Sequence, residues 1–473
     1  MKLYTDYSIF WFRQDLRIND NPGLSEALEQ KNILPIYIFD TVNTKEFQLG
    51  DASKLWLYHS LNSLNKSLDD KLSIYKGNPL DIILNLIEKY PIKSVYWNRC
   101  YEPWQITRDT EIKTKLKNQS IATQTFNANL LWEPWTVLKK DQTPYKVFTP
   151  FYKRGCLNAP LPRKNLPTPD FNDKLIKDKK YSIEIDKLNL LPKINWDKSI
   201  IQNWQIGEKS ALDKLNDFFE HTILNYKVGR DFPSQMATSY LSPHLHFGEI
   251  SPNQIFHKAK EYELNDNIEH FIRELIWREF SYNLLYHFPK LPSENLQTKF
   301  NQFPWKNNQH FLKKWQQGKT GYPLVDAGMR ELWQTGYMHN RIRMVCASFL
   351  VKNLLIDWRL GEAWFWECLF DADLANNSAS WQWVAGCGAD AAPYFRIFNP
   401  ITQGHKFDPD GEYTKKYCPE LKDLPTKYLF SPWEAPEDIL KQSKITLGKN
   451  YPLPIIDLKE SREKALSAYH EIK

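Results

Sequence analysis

Residues 8–12 read SIFWF, 22–30 PGLSEALEQ, 33–39 ILPIYIF, 52–68 ASKLWLYHSLNSLNKSL, 72–77 LSIYKG, 79–90 PLDIILNLIEKY, 94–101 SVYWNRCY and 106–117 ITRDTEIKTKLK. Short, nearly continuous apolar runs alternate here with longer runs patterned at three and four residues. The first kind suits strands buried on both faces and the second suits helices packed over them, so the alternation predicts parallel βαβ units. Asn78-Pro79 and the stretch from Asn19 to Pro22 carry the polar cap and first-turn proline that open helices. An α/β domain with a Rossmann-like parallel sheet is therefore expected over residues 1–131.

The first strand is not followed by G-x-G-x-x-G or a Walker loop, which disfavours a dinucleotide dehydrogenase. Gly386-Cys387-Gly388-Ala389-Asp390-Ala391 matches the relaxed glycine pattern, but it follows WQWV in a helical region and is read as chance. From 132 to 206 the periodicity lapses into Pro, Lys and Asp, as in APLPRKNLPTPDFNDKLIKDKK, which predicts a connector running over the surface. Beyond it a mainly α-helical domain is expected over 207–473. Its helices are placed near 208–220, 252–261, 267–287, 308–317, 322–335, 338–357 and 361–369.

Lys and Arg exceed Asp and Glu by 62 to 56, a net charge of +6 that mildly favours anionic partners. Asp6, Arg13 and Asp15 interrupt the N-terminal apolar run, and no later stretch is long and apolar enough to span a bilayer. A cytoplasmic protein with no membrane partner is expected. The six cysteines show neither C-x-x-C nor paired spacing, so no metal site or disulfide framework is expected. Aromatic residues make up 14% of the chain, with 18 Trp, which suits a large aromatic core or rings that stack on a cofactor, stack on bases or carry electrons.

Three stretches place polar groups where packing would not. Tyr226-Lys-Val-Gly-Arg230 is followed by Thr238-Ser239-Tyr240-Leu241-Ser242, a hydroxyl-rich turn before a helix that suits a phosphate or a simple capping turn. Glu274, Trp277 and Arg278 fall on one helical face, suiting a ligand or an ordinary i, i+4 ion pair. The densest stretch runs from Gly321 to Phe407 and includes Met338-His339-Asn340-Arg341-Ile342-Arg343-Met344, Asp371-Ala372-Asp373 through Asn377, and Trp381-Gln382-Trp383. Asn, Arg and Asp packed among aromatics need each other or a polar ligand to be satisfied, and a large, partly polar cofactor would do this.

The run from Gly321 to Phe407 resembles the flavin-binding signature of the photolyase and cryptochrome family, and WFRQDLRINDNPGL at 11–24 resembles its N-terminal signature. Within that family the chain looks like a class I enzyme for cyclobutane pyrimidine dimers. The resemblance implies FAD in the helical domain, bound by Tyr226, Thr238, Ser239, Tyr240, Leu241, Ser242, Phe271, Arg278, Arg343, Asp371, Ala372, Asp373 and Asn377. Asn377 takes the position facing flavin N5, where plant-type signalling relatives carry an acid. Trp381, Trp358 and Trp305 match a chain of electron-passing tryptophans.

The partner implied is damaged DNA, contacted by Arg230, Glu274, Trp277, Asn340, Arg341, Met344, Trp383 and Gln403. Glu274 would hydrogen-bond the dimer. Enzymes for the (6-4) lesion have histidine where this chain has Asn340 and Met344, so the cyclobutane dimer is the expected substrate. His339 is expected to be structural or to lie near the flavin. Light-driven repair by a monomer is expected rather than signalling, since no low-complexity stretch follows Phe407. A second, light-gathering chromophore, methenyltetrahydrofolate or a deazaflavin, is implied at Glu102. The Cys-Lys pair that accompanies folate in relatives is replaced here by Leu291-Pro292-Ser293.

Overall fold

A computed structural model describes residues 6–30, 32–171, 173–193 and 197–472. Five strands form one sheet: β1 (Tyr7–Phe12), β2 (Asn32–Asp40), β3 (Ser73–Gly77), β4 (Ile92–Asn98) and β5 (Ala122–Phe126). All four pairings are parallel and the order is β3-β2-β1-β4-β5. The apolar runs became strands because both faces are covered. Ile9, Trp11, Leu34, Ile36, Val95 and Trp97 share a buried core with Ile83 and Leu86 of the Pro79–Lys89 helix and Ile112 and Leu116 of the Pro103–Asn118 helix. Asn78 caps the Pro79–Lys89 helix by accepting from the Leu80 N–H, and Asn21 accepts from the Leu24 N–H at 3.1 Å in the first turn of the Pro22–Gln30 helix.

The chain divides into two compact units. One runs to His221 and resumes at Ser239–Pro289; the other takes Thr222–Thr238 and continues from Lys290. The stretch expected to cross the surface at 132–206 lies in the first unit and buries Tyr145, Phe148, Phe151 and Tyr152. Its aromatics follow no helical or strand period, so periodicity missed them. They pack as rings, with Phe148 and Tyr152 stacked at 6.2 Å.

The helical remainder departs from expectation at two places among the candidate residues. The helix expected over 338–357 is α-helical only across Asn340–Ser348; Phe349–Asn353 widens into a π-helical turn, and Leu355 has a φ of 53°. A new helix, Trp358–Cys368, then starts where the Asp357 side chain accepts from the Arg359 N–H. Residues 374–385 carried no assigned helix of their own, and Asn376, Asn377 and Ser378 are weak helix formers. They form the Leu374–Ala385 helix because Asp373 caps it and because Leu374, Ala375, Asn377, Ser378, Trp381 and Gln382 are buried. Gly386 ends that helix with a φ of 88°, so the relaxed glycine string is a helix terminus and no phosphate loop.

Candidate functional site

In the first unit the Asp266–His287 helix buries Phe271, Leu275, Ile276, Glu279 and Phe280 and leaves Glu274, Trp277 and Arg278 half-buried on one face. Phe271 is wedged between Phe218 at 4.8 Å and Phe219 at 5.4 Å. Glu274 lies 3.8 Å from His270. Arg278 donates to the Asn129 carbonyl at 2.8 Å, pairs with Glu279 at 3.2 Å and lies 4.8 Å over Tyr282. Burial pushes the Glu279 carboxyl up to about 7 against the pull of Arg278 and the N–H groups of Trp132 and Leu131.

Trp277 stacks on Phe148 at 3.7 Å with the planes 6° apart. Phe148 was missed in the sequence because it sits in the stretch read as connector. The run Val147-Phe148-Thr149-Pro150-Phe151, apolar and aromatic amid polar sequence, was the signal that could have found it.

The hydroxyl-rich turn leads into the Ser242–Phe247 helix, with Tyr240 at a φ of 51°, Leu241 buried and Ser242 exposed. The N-cap position is the apolar Leu241, which supplies no side-chain cap. Glu102 is buried, and its carboxylate accepts from Gln14 at 3.2 Å and from the Trp104 indole N–H at 2.6 Å.

In the second unit Arg343 donates to Asp371 at 2.9 Å and, through Nε, to the Met338 carbonyl at 2.6 Å. Burial alone would lower the pKa of this guanidinium, but Asp371 outweighs it and holds Arg343 charged. Asp373 and Ala372 are buried, and Asp373 accepts from both the backbone and the side chain of Asn376. Tyr226 is buried beneath Arg230, whose guanidinium lies 5.3 Å from the ring.

His339 Nδ1 accepts from the Arg341 N–H at 3.2 Å, capping the Asn340–Ser348 helix. Burial, with Arg230, Arg341 and Arg343 around it, pushes His339 down to about 4, so the ring is neutral and Nε2 carries the proton. Asn340 is exposed, and Met344, Trp383 and Gln403 are half-buried.

Asn377 donates to the Glu362 carbonyl at 3.1 Å, and Ser378 donates to the Glu362 carboxyl at 2.6 Å. Glu362 therefore fixes two neighbours on the facing helix, a role that no sequence motif revealed. Burial raises its carboxyl from 4.5 to about 8. The folded chain thus holds a proton there that the unfolded chain releases near 4.5. The resulting stabilisation is complete below about 4.5 and is lost as pH rises through about 8. Glu362→Gln keeps an acceptor for Ser378 and does not titrate. Relative to this variant, wild type should lose up to about 1.4 kcal/mol per pH unit across that window. Parallel curves of melting temperature against pH for the two proteins would contradict the assignment.

Trp358 and Trp381 are buried while Trp305 is partly exposed, a gradation from interior to surface. Trp358 donates to Asn295 at 2.9 Å, and the Trp305 ring lies 4.3 Å from Phe303. A Cβ at Gly361 would meet the Trp381 ring at 2.2 Å. The Trp381 indole thus lies flush against the Trp358–Cys368 helix, one turn from Trp358.

FAD carries hydroxyls, a pyrophosphate and a flat polar ring. The buried Thr238 Oγ1 and His339 Nε2 have no hydrogen-bond partner among the described residues, as expected of groups that await a polar ligand. Residues 271–471 match the FAD binding domain of DNA photolyase, and residues 8–170 match DNA photolyase. The chain belongs to the photolyase and cryptochrome family.

A relative from Agrobacterium fabrum named deoxyribodipyrimidine photo-lyase is 45% identical over 486 residues, covering 100% of this chain and 99% of the relative. The crystal structure of a bacterial class III photolyase from Agrobacterium tumefaciens superposes with a TM-score of 0.94 at 44% identity, covering 100% of this chain and 98% of that one. The class I likeness noted in the sequence thus stands beside a full-length likeness to a class III member. Cryptochrome-1 of Arabidopsis thaliana is 34% identical over 98% of this chain and 70% of its own length. Among the described residues no helix of this family member is long and apolar enough to cross a membrane.

Proposed function

We propose that this chain is a deoxyribodipyrimidine photo-lyase that uses blue light to split cyclobutane pyrimidine dimers in DNA. The full-length similarity to a relative named for that enzyme carries the proposal. Bound FAD would supply a light-excited electron donor. Tyr226, Thr238, Ser239, Tyr240, Leu241, Ser242, Phe271, Arg278, Arg343, Asp371, Ala372, Asp373 and Asn377 would hold it. The Arg343–Asp371 pair keeps a fixed dipole, and the Glu362 carbonyl fixes the Asn377 amide. Trp381, Trp358 and Trp305 would relay electrons between the interior and the surface.

Photolyases are among the enzymes that extrude their target from the base stack. Trp277 and Trp383 would stack on the extruded pyrimidines, Glu274 would hydrogen-bond them, and Asn340 and Met344 would shape the lesion side. Arg230, Arg341 and Gln403 would meet the strand. The protein would act as a cytoplasmic monomer, and any second chromophore, a folate or a deazaflavin, would lie near Glu102. Because Asn340 and Met344 replace histidines, substrate choice is the direct test. Photoreduced holoprotein illuminated with oligonucleotides bearing one lesion each should reverse the cyclobutane dimer and leave the (6-4) product. Reversal of the (6-4) product would overturn the substrate assignment.

A further inference from the structure

Arg341 is held on two sides within its unit, by Asp231 and by Phe407. Its Nη2 donates to the Asp231 carboxylate at 2.5 Å, its guanidinium lies 4.4 Å over the Phe407 ring, and its buried Nε–H has no partner among the described residues. Asp231 is about a third exposed and directly follows Arg230, so one carboxylate accompanies the two arginines assigned to the DNA strand. A protein surface that grips phosphate gains little by carrying an anion there, and a structural ion pair of this exposure contributes little to stability. The carboxylate does alter what the arginines offer. It takes one edge of a fixed fork, leaves the other edge in a defined direction, and offsets charge that would attract any duplex.

We propose that Asp231 is a specificity-determining residue: it holds Arg341 against Phe407 and damps the sequence-independent attraction to phosphate, so that lesion contacts make up a larger share of the affinity. This rests on the assignment of Arg341 to the DNA strand. Phosphate contacts supply non-specific affinity, whereas stacking on extruded bases supplies none of it. Reducing the first term while leaving the second widens the gap between damaged and undamaged DNA.

The test measures dark equilibrium binding of the FAD-loaded protein to one duplex with and without a single cyclobutane thymine dimer, over a salt series. Asp231→Asn should bind the undamaged duplex about threefold to tenfold more tightly at low salt, with a log–log salt slope steeper by up to about one. Its gain on the dimer duplex should be smaller, so the damaged-to-undamaged ratio falls severalfold. Asp231→Glu, which restores the carboxylate, should recover much of that ratio, and Asp231→Ser should lose it as Asn does.

Arg341→Ala separates the role of Asp231 from the assignment of Arg341 to the DNA strand. If it weakens binding while Asp231→Asn and Asp231→Ser keep the wild-type ratio, the role of Asp231 is overturned and the assignment of Arg341 stands. If Arg341→Ala binds both duplexes as wild type does, the assignment of Arg341 fails and the proposal fails with it.

Discussion

Arg343→Ala should lower the stability of the FAD-loaded protein by about 3 kcal/mol, because it leaves a buried Asp371 carboxylate without its cation. For a unit of this size that corresponds to a melting temperature lower by roughly 6 to 12 °C. Asp371 is the more deeply buried partner, with 7% of its side chain exposed against 24% for Arg343, so most of the loss comes from stranding the anion. Asp371→Asn introduced alongside Arg343→Ala removes that stranded charge. The double variant should therefore be more stable than Arg343→Ala alone. Thermal unfolding of the four proteins of the cycle, followed by flavin release and by circular dichroism, reads the coupling. Additive losses would show that Arg343 and Asp371 act independently.

Trp277→Ala should weaken binding to dimer-containing DNA by about tenfold to a hundredfold, since base–aromatic stacking contributes about 1–3 kcal/mol per base. Phe148 lies parallel to the indole at 3.7 Å and so fixes the plane on which a pyrimidine would rest. Trp277→Phe keeps a ring on Phe148 and should lose less. Undamaged duplex, whose bases stay stacked, should bind all three proteins alike. The check is the dissociation constant for each duplex at one salt concentration. Equal losses on both duplexes would assign Trp277 to structure instead of lesion recognition.

The α/β half was readable from sequence because a strand buried on both faces needs no partner information: Ile33 to Phe39 is apolar wherever it sits in a parallel sheet. The caps at Asn21 and Asn78 were readable because they act within three residues. Helix Leu374–Ala385 was hidden because its Asn and Ser residues disfavour helix, and it forms through burial and the Asp373 cap. The π-helical turn at Phe349–Asn353 was hidden for the opposite reason, since Phe349, Leu350 and Val351 carry the apolar pattern into it and Leu354 to Ile356 resume it.

The candidate residues were readable through resemblance, but their supports were not. Asp231 and Arg341 stand 110 positions apart, and Phe148 and Trp277 are also far apart in sequence. Glu362 reaches Asn377 through a backbone carbonyl, which no residue pattern encodes. Side chains that fix other side chains across the fold leave little local trace.

Light, through reduced FAD, should drive dimer reversal in this protein. The most direct measurement incubates the reduced, FAD-loaded protein with an oligonucleotide containing one cyclobutane thymine dimer, in blue light and in darkness, and quantifies intact thymines. Restored thymines in the light and none in darkness are the expected result. Binding of the oligonucleotide with no restoration under light, by protein whose flavin is verified to be reduced, would overturn light-driven repair as the function of this chain.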